Sequence, residues 1–344
     1  MKALLIRLDH VGDVFLCTPL LRALSQAGYR TELMVPEAAA QLFDGNPHVA
    51  AIHDLRQISP QFPYGWGTLS RWLRRGGFDV LILPYARQPA LLWASFFSGI
   101  PTRMAMWSGI WGRLTLHHCL RSGLPGRLRP FADILLDCAR RLGIPPGTTR
   151  PELYLPTAVC DAMARQVVAR TGGRRLVGIH PGCGGSSCNL PPAEYGRLAA
   201  LLLQHRDVTL AATGVAAERA MIATWPASVQ ASDRLWNTMG DLTLQQLAAL
   251  IRQMAVYVVP STGPLHLANW ADVATVSPFC AAPTLSAAVW GNDNGKGVAL
   301  APPPDYCLQR RRVGNRHCDF SGHVNAETLY AEVIRLLWTN QEMK

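Results

Sequence analysis

The chain contains 344 residues, of which 49% are apolar and 16% are charged, and its formal net charge is +10. This length predicts about two domains, and the apolar fraction excludes a disordered or low-complexity protein. Thirty of the 33 basic residues are arginine. Guanidinium groups are suited to binding phosphate and carboxylate, although a GC-rich genome would produce the same excess.

The nine cysteines include no Cys-x-x-Cys pair, so we expect neither a disulfide scaffold nor a zinc ribbon. The spacing of the nearest metal-like group fits no common zinc pattern; its members are Cys307, His317, Cys318 and His323. We therefore expect no metal and no cofactor. No motif points to a nucleic-acid partner, and we expect none.

No stretch of the sequence has the length of a membrane anchor. The apolar run at residues 3–6 is too short for the core of a signal peptide. The longest apolar stretch, residues 89–100, falls short of the roughly 20 residues that span a bilayer. We expect a soluble cytoplasmic protein.

The first half alternates buried strands with helices. A strand at residues 3–6 is followed by a loop at 9–13 and by a helix whose apolar residues recur close to every 3.6 positions. Further strands are predicted at residues 31–35 and 80–83, each ended by a proline. This alternation predicts an α/β fold with a parallel sheet covered on both faces.

The same pattern restarts after residue 150. A strand at residues 174–180 ends in a glycine-rich loop at 181–187. Further elements are predicted in chain order: a helix at 192–205, a strand at 208–212, a helix at 244–254, a strand at 257–259, and a loop from 261 that opens into another helix.

These elements predict two domains, residues 1–155 and 156–325, followed by a C-terminal helix within 326–344 that can pack on either domain. The segment 143–176 is predicted to contain the linker, because it includes Pro145-Pro146-Gly147. The first domain carries 17 basic and 10 acidic residues, a net charge of +7. It is therefore the better candidate to meet an anionic partner.

Two common nucleotide motifs are absent from the sequence: the Walker loop, and a G-x-G-x-x-G after the first strand. The sharpest remaining turn is Ser261-Thr262-Gly263-Pro264, where a hydroxyl can cap a helix, glycine permits close approach, and proline suits the first turn. A helix N-terminus of this kind favours a phosphate. An ordinary N-cap is the alternative.

The loop from His180 to Ser187 is the second candidate phosphate site. Its glycines and serines follow a strand end and can present several donors to a diphosphate, although such loops also occur as plain connections. Together with Ser261–His266 in the same half, the loop predicts a two-loop phosphate clamp.

Four motifs in order resemble those of bacterial lipopolysaccharide heptosyltransferases, the family 9 glycosyltransferases. They are Ile6-Arg7-Leu8-Asp9-His10-Val11-Gly12-Asp13-Val14 with Thr18-Pro19, then His180-Pro181-Gly182, Thr213-Gly214 with Glu218, and Thr262-Gly263-Pro264-Leu265-His266-Leu267-Ala268. The resemblance extends over nearly the whole chain. It implies a GT-B architecture, in which two Rossmann-like, doubly wound parallel-sheet domains face a central cleft.

The resemblance also implies an activity: inverting, metal-independent transfer of heptose from ADP-heptose to the lipopolysaccharide inner core at the inner face of the inner membrane. Asp13 matches the catalytic carboxylate, Glu218 the acid that binds ribose, and Leu242 the position where adenine is held. The expected donor-binding residues are His180, Gly182, Ser186, Ser187, Asn189, Thr213, Gly214, Glu218, Leu242, Ser261, Thr262, Gly263, Pro264 and His266. The expected acceptor-binding residues are His10, Gly12, Arg71, Arg74 and Trp107.

The sequence departs from the family pattern at three places. Ser261 stands where many members have Asp, Cys188-Asn189-Leu190 where many have a Lys, and residues 278–283 replace Phe-Gly-Pro-Thr. These differences leave open another nucleotide sugar, a non-lipopolysaccharide acceptor, or a non-catalytic nucleotide- or glycan-binding relative. The retained Asp13 argues against a pure binding protein.

Aromatic residues alternate with arginines at residues 62–75 and 107–113. They can meet a phosphorylated glycolipid at a membrane surface, or they can belong to a helix face in the domain core. His10 can shape the acceptor site or satisfy the loop backbone.

Asp13 has two interpretations as well. It follows the first strand at the edge where open parallel sheets bind ligands, so it can act as a general base. As a plain helix cap, it could be replaced by Asn with little loss of stability.

Overall fold

The computed structural model describes residues 1–86, 88–106, 109–120, 128–291, 294–307, 320 and 322–339. The chain divides into two compact units, Met1–Tyr154 and Leu155–Lys344. Each unit contains one six-stranded sheet in which all neighbouring strands are parallel.

The sheet of the first unit has the strand order β3-β2-β1-β4-β5-β6. Its strands are β1 (Lys2–Ile6), β2 (Arg30–Met34), β3 (Ala51–His53), β4 (Val80–Leu83), β5 (Thr102–Met106) and β6 (His118–Leu120). The central strand β1 pairs Leu5 with Leu33 of β2 and Leu4 with Leu81 of β4. The described helices are α1 (Val11–Phe15), α2 (Thr18–Gln26), α3 (Glu37–Ala40), α4 (Leu55–Ile58), α5 (Trp66–Arg75), α6 (Pro89–Phe97), α7 (Gly109–Thr115), α8 (Phe131–Leu135) and α9 (Asp137–Arg141), with a 3-10 turn at Gln41–Phe43.

The single helix predicted after β1 is two helices, α1 and α2. The break has a local cause, because Pro19 lies at the start of α2 and has no backbone N–H to continue the helical pattern. The hydroxyl of Thr18 donates instead to the carbonyl of Phe15 at 3.0 Å.

The sheet of the second unit has the order β12-β11-β10-β7-β8-β9, the same winding as the first sheet. Its strands are β7 (Arg175–Ile179), β8 (Val208–Ala212), β9 (Leu235–Asn237), β10 (Val256–Val258), β11 (Ala274–Pro278) and β12 (Gly297–Leu300). The described helices are α10 (Thr157–Thr171), α11 (Pro192–Leu202), α12 (Ala227–Gln230), α13 (Leu244–Ile251), α14 (Gly263–Trp270), α15 (Ala287–Trp290) and α16 (Ala326–Thr339), with 3-10 segments at Ala216–Thr224 and Pro283–Leu285.

The two units divide between Tyr154 and Leu155, inside the segment 143–176 predicted to contain the linker, and the same segment also holds the 15-residue helix α10, which the sequence did not predict. The helix buries Met163 and Val167 and ends at Gly172, which adopts the left-handed conformation with φ of 57°. Glycine tolerates this conformation because it has no Cβ.

The helix α16 packs on the second unit. Its Leu329, Val333 and Leu337 are buried in one core cluster with Val177 and Leu210 of the sheet.

Strands buried on both faces have continuous apolar sequences, which is why β1, β4 and β8 were predicted from sequence.

The predicted fold class, two Rossmann-like doubly wound parallel sheets, is confirmed. The strand order reverses between β1 and β4 in the first sheet, and between β7 and β10 in the second. Open α/β sheets bind ligands at the carboxyl ends of the strands that flank such a reversal. Among the described residues, no helix combines the length and apolar character needed to cross a membrane.

Candidate functional site

In the first unit, the chain leaves β1 through Arg7, a buried arginine beside the reversal point. Its side chain is 2% exposed. The guanidinium lies 5.4 Å from the ring centre of Tyr85, which follows β4, and 5.2 Å from that of Phe131. These aromatic contacts fix a cation at the edge of the sheet where ligands bind.

Arg7 holds the predicted catalytic residue. Its Nη2 lies 3.1 Å from Oδ2 of Asp13, and its Nε donates to Asp9. Asp13 lies in the first turn of α1, while the N-cap position is occupied by His10. The interpretation of Asp13 as the N-cap is therefore wrong, and its carboxylate is directed to Arg7 instead.

The surroundings of Asp13 make its carboxylate more basic than a solvent-exposed one. Burial raises the pKa of Asp13 and outweighs Arg7, which lowers it; Asp9 raises the pKa further, and His10 lowers it slightly. The neighbouring Cys17 stays a thiol, because burial raises its pKa to about 12. The result is a partly accessible carboxylate, 18% exposed, with a raised proton affinity.

The remaining predicted acceptor residues lie on different elements. His10 is exposed and makes no side-chain capping bond among the residues that the structure describes, and Gly12 is buried within α1. Arg71 and Arg74 are exposed on α5, where Arg71 reaches Thr68 and Arg74 donates to the carbonyl of Phe97 at 2.6 Å. Trp107 lies outside the described residues.

In the second unit, the structure brings the two predicted phosphate loops into contact. The loop after β7 contributes Ser186, whose hydroxyl is 2.7 Å from the carbonyl of Cys183 and 3.2 Å from that of Ser261. Ser261 follows β10, the strand beside β7 at the reversal. Adjacent parallel strands end at the same edge, so their loops meet there. Ser187 lies beside Ser186, and its hydroxyl is buried without a hydrogen-bond partner among the described residues.

Below these loops, three side chains form a buried hydrogen-bonded row. Nδ1 of His180 is 2.9 Å from the hydroxyl oxygen of Thr213, which is 2.7 Å from the hydroxyl oxygen of Tyr257. Burial lowers the pKa of His180 to about 4, so its imidazole is neutral at pH 7. The row ties β7, β8 and β10 together directly beneath the candidate site.

The carboxylate of Glu218 is buried between two glycines. Its Oε2 accepts the backbone N–H of Val215 at 2.9 Å. A Cβ on Gly182 would lie 1.8 Å from Oε1, and a Cβ on Gly214 would lie 2.8 Å from Oε2. Only glycine leaves room for this carboxylate at the ends of β7 and β8.

Leu242 is half-buried in the segment that follows β9. That segment is attached to Gly214, since the N–H of Gly240 donates to the carbonyl of Gly214 at 2.9 Å. Arg219 also donates from Nε to the carbonyl of Met239 at 3.0 Å. The predicted adenine and ribose positions are thus neighbours.

The helix α14 begins as the sequence predicts. Thr262 occupies its N-cap in an extended conformation, but within the described residues its hydroxyl makes no capping hydrogen bond. Pro264 follows Gly263 in the first turn, and His266 is buried, with its ring centre 6.4 Å from that of Trp290. The side chain of the N-cap residue therefore leaves the first-turn N–H groups available to donate to an anion.

Asn189 stands in the segment where many family members have a lysine, and its side chain is committed to the fold. Its Nδ2 donates to the carbonyl of Pro181 at 2.7 Å. Its Oδ1 accepts from the N–H of Leu190 at 2.9 Å and from the hydroxyl of Tyr195 at 2.6 Å. Asn189 therefore fixes the loop and does not replace the missing cation.

Sequence reasoning missed Arg7, Tyr195 and Tyr257 as parts of these sites. Arg7 carried one signal, a charged residue at the end of a buried strand six positions before Asp13. Tyr195 and Tyr257 are fully buried and looked like ordinary core residues.

No group of three or more metal-ligating side chains is found in the part of the chain that the structure describes. Cys307 lies with its sulfur 3.5 Å from that of Cys280. Of the metal-like group noted in the sequence, His317 and Cys318 lie outside the described residues.

Comparisons with known proteins agree with the fold and the motifs. Residues 136–309 match the model of Glycosyltransferase family 9 (heptosyltransferase). A Haemophilus influenzae protein with a provisional glycosyltransferase name is 22% identical over 325 residues, 88% of this chain and 89% of that protein.

Two solved structures resemble the whole chain. A family 9 glycosyl transferase from Veillonella parvula has a TM-score of 0.81 at 16% identity, covering 98% of this chain and 97% of that one. The ADP-heptose lipopolysaccharide heptosyltransferase II of Escherichia coli has a TM-score of 0.74 at 18% identity, covering 99% and 100%. Similarity at this level shows a common fold, and the predicted GT-B class is confirmed.

Proposed function

The chain belongs to glycosyltransferase family 9, and on that premise we propose that it transfers a heptose from ADP-heptose to the inner core of a lipopolysaccharide. The observation that carries the proposal is the contact between Ser186 and Ser261, which joins the loops after β7 and β10. The first loop begins with the motif at residues 180–182, and the second leads into the motif at residues 262–268.

The second unit would bind the donor. Glu218 is held by the N–H of Val215 and lies beside Gly214, which suits hydrogen bonding to ribose hydroxyls. The segment around Leu242, tied to Gly214, would lie along the adenine. The diphosphate would rest on the N-terminus of α14 at Thr262 and Gly263.

Asp13 would be the general base on the acceptor side. As the acceptor hydroxyl oxygen bonds to the anomeric carbon, Asp13 takes the hydroxyl proton. The bond from that carbon to the diphosphate oxygen breaks, and ADP leaves from the opposite face with inversion. Arg7 keeps the carboxylate oriented, while burial keeps it basic.

The diphosphate charge would be met without a metal. Oxyanions can be stabilised by backbone N–H groups and helix N-termini, and these groups lie at the loops after β7 and β10. We place the reaction in the cytoplasm, with the chain held peripherally at the inner face of the inner membrane, where a lipid-linked acceptor is exposed.

A second candidate keeps the transfer reaction but changes the donor sugar or the acceptor. Two observations favour it. Ser261 has no carboxylate where many family members have Asp, and the side chain of Asn189 is hydrogen-bonded to Pro181, Leu190 and Tyr195. A cation expected to meet the diphosphate in many family members is therefore not supplied by this segment.

Thermal unfolding of the full chain with ADP-heptose, ADP, UDP-glucose and GDP-mannose separates the candidates. A ligand that binds only the folded state at 100 times its Kd stabilises it by about 2.7 kcal/mol. We expect this effect for ADP-heptose and ADP, together with release of ADP when a heptose-accepting core is added. Stabilisation only by another nucleotide sugar would support the second candidate, and binding without transfer to any acceptor would support a non-catalytic relative.

A further inference from the structure

The first unit carries an exposed cluster of aromatic rings on three neighbouring helices. We call it the aromatic face; it consists of Trp66 on α5, Trp93, Phe96 and Phe97 on α6, and Trp111 on α7. The helix α6 packs between α5 and α7, which makes the face continuous.

The rings contact one another; three of them are exposed to solvent, while Trp66 and Trp93 are half-buried. The ring centre of Trp93 lies 5.6 Å from that of Trp111 and 6.2 Å from that of Phe97, which lies 5.5 Å from that of Trp66. Phe96, Phe97 and Trp111 are 40%, 47% and 46% exposed. Isolated exposed aromatic residues are common, but a contiguous exposed group marks an interaction surface.

The part of the sequence that forms this face is rich in arginine. Residues 54–118 contain seven arginines and two acidic residues, Asp54 and Asp79. Asp79 accepts the backbone N–H of Lys2 at 2.7 Å and is half-buried. Arg74 is bonded to the carbonyl of Phe97, which places a guanidinium at the edge of the aromatic face, and Arg113 is exposed two residues after Trp111.

We infer that the aromatic face docks the chain on an anionic phospholipid surface. Aromatic rings settle at the depth of lipid headgroups, and arginines pair with lipid phosphates. The excess of exposed arginines favours an anionic membrane over a second copy of this chain, because two positive faces would repel. The inference deepens the proposed function by naming the surface that would meet the membrane in which the acceptor is held. Only the link to the acceptor rests on the proposed function; the binding to lipid does not.

The aromatic–arginine segments divide between the two interpretations. Trp66 and Trp72 are half-buried against the core, and the ring centre of Trp72 lies 5.7 Å from that of Phe78. The exposed rings come mainly from α6, whose sequence reads as a buried apolar helix.

The test is co-sedimentation of the full chain with vesicles of phosphatidylethanolamine and phosphatidylglycerol, and with vesicles of phosphatidylcholine. The apolar variant is Phe96→Ser with Phe97→Ser, and its matched control is Val168→Ser, which removes a 69%-exposed apolar side chain from α10 in the second unit. The charge variant is Arg74→Gln with Arg113→Gln, and its control is Arg165→Gln, an exposed arginine on α10.

We expect wild type and both controls to bind the anionic vesicles at low salt and to leave them as salt rises. The charge variant should lose about fivefold in partition per arginine, and the apolar variant at least tenfold. Thermal unfolding shows that each variant is folded, and sedimentation velocity reports any dimer.

Three results would overturn the inference: no binding of wild type to anionic vesicles at low salt, equal loss in variants and controls, or a wild-type dimer that the apolar variant abolishes. Vesicle binding does not depend on catalysis. A protein that binds vesicles but transfers no sugar would therefore refute the proposed function and leave the docking surface intact.

Discussion

Replacing Asp13 with Asn, beside the matched change Asp9→Asn, tests the proposed mechanism most directly. Both carboxylates are bonded to Arg7, both are largely buried, and both lie within seven residues of β1. Each substitution replaces one of the two carboxylates that contact the Arg7 guanidinium with a neutral amide of nearly the same size. Only Asp13, however, is proposed to take a proton.

The structure sets the expected size of each effect. A hydrogen bond to a charged group contributes about 1.5–3 kcal/mol, and Arg7 keeps its other carboxylate in either variant. We therefore expect each variant to lose about 1–2 kcal/mol, or about 2–8 °C in Tm for a unit of this size. Loss of a general base should slow turnover by roughly 10²–10⁴ in Asp13→Asn, whereas Asp9→Asn should lose much less.

The pH profile gives an independent readout. The charge of Asp9 raises the pKa of Asp13. The variant Asp9→Asn should therefore lower the pKa of Asp13 and move the acid limb of the kcat/KM profile to lower pH. The assay is steady-state turnover with excess donor, with donor affinity measured separately by calorimetry. Equal slowing in both variants would mean that the Arg7 cluster matters only structurally, and near-normal turnover in Asp13→Asn would remove Asp13 from the mechanism.

The remaining predictions concern the second unit and the absence of a metal. Gly182→Ala should weaken ADP binding at least tenfold in calorimetry, because its Cβ would overlap Glu218; Gly67→Ala, on an open helix surface, should leave it unchanged. Thr262→Val should weaken ADP binding by about 1.5–3 kcal/mol while Tm stays within a degree or two, since this hydroxyl makes no capping bond; an unchanged Kd would place the diphosphate elsewhere. EDTA should leave turnover unchanged, and loss of activity that magnesium restores would contradict metal-independent transfer. Because the folded-state pKa of His180 is lowered from 6.5 to about 4, its contribution to stability is present above pH 6.5 and is lost as pH falls toward 4. Urea unfolding at pH 7 and pH 4 should therefore show about 3 kcal/mol more loss in wild type than in His180→Gln, and equal losses would refute a neutral buried imidazole.

Several central strands could be predicted from sequence because they carry uninterrupted apolar runs, whereas the buried strands β5 and β11, whose runs are interrupted by polar residues, were missed. Strand β4 was predicted at Val80–Leu83 and β8 at residues 208–212, the bounds that the structure has. The edge strands β3 and β6 have three residues each and are half-exposed, so no such run marks them. The helix α10 was missed because it buries only Met163, Val167 and Thr171.

The candidate site divides in a similar way. Loops rich in glycine and hydroxyl residues could be identified, since turn chemistry is encoded locally, and Ser186 and Ser261 do meet. The supporting contacts of Arg7 and Tyr257 depend on neighbours 6 to 124 positions away in sequence. The local sequence gives no signal of such tertiary partners.

The bonds of Asn189 have an evolutionary consequence. A lysine at position 189 would supply a cation near the proposed diphosphate site, but it would leave the buried hydroxyl of Tyr195 without its acceptor. An unsatisfied buried donor costs about 1–3 kcal/mol, so the single substitution is penalised before any gain in donor binding can be selected. Tyr195→Phe would remove that penalty, but as a single change it would lose the hydrogen bond between the Tyr195 hydroxyl and Asn189. The two positions are therefore epistatic, and a lineage that has acquired this pair is disfavoured from placing a lysine at position 189 unless both residues change together.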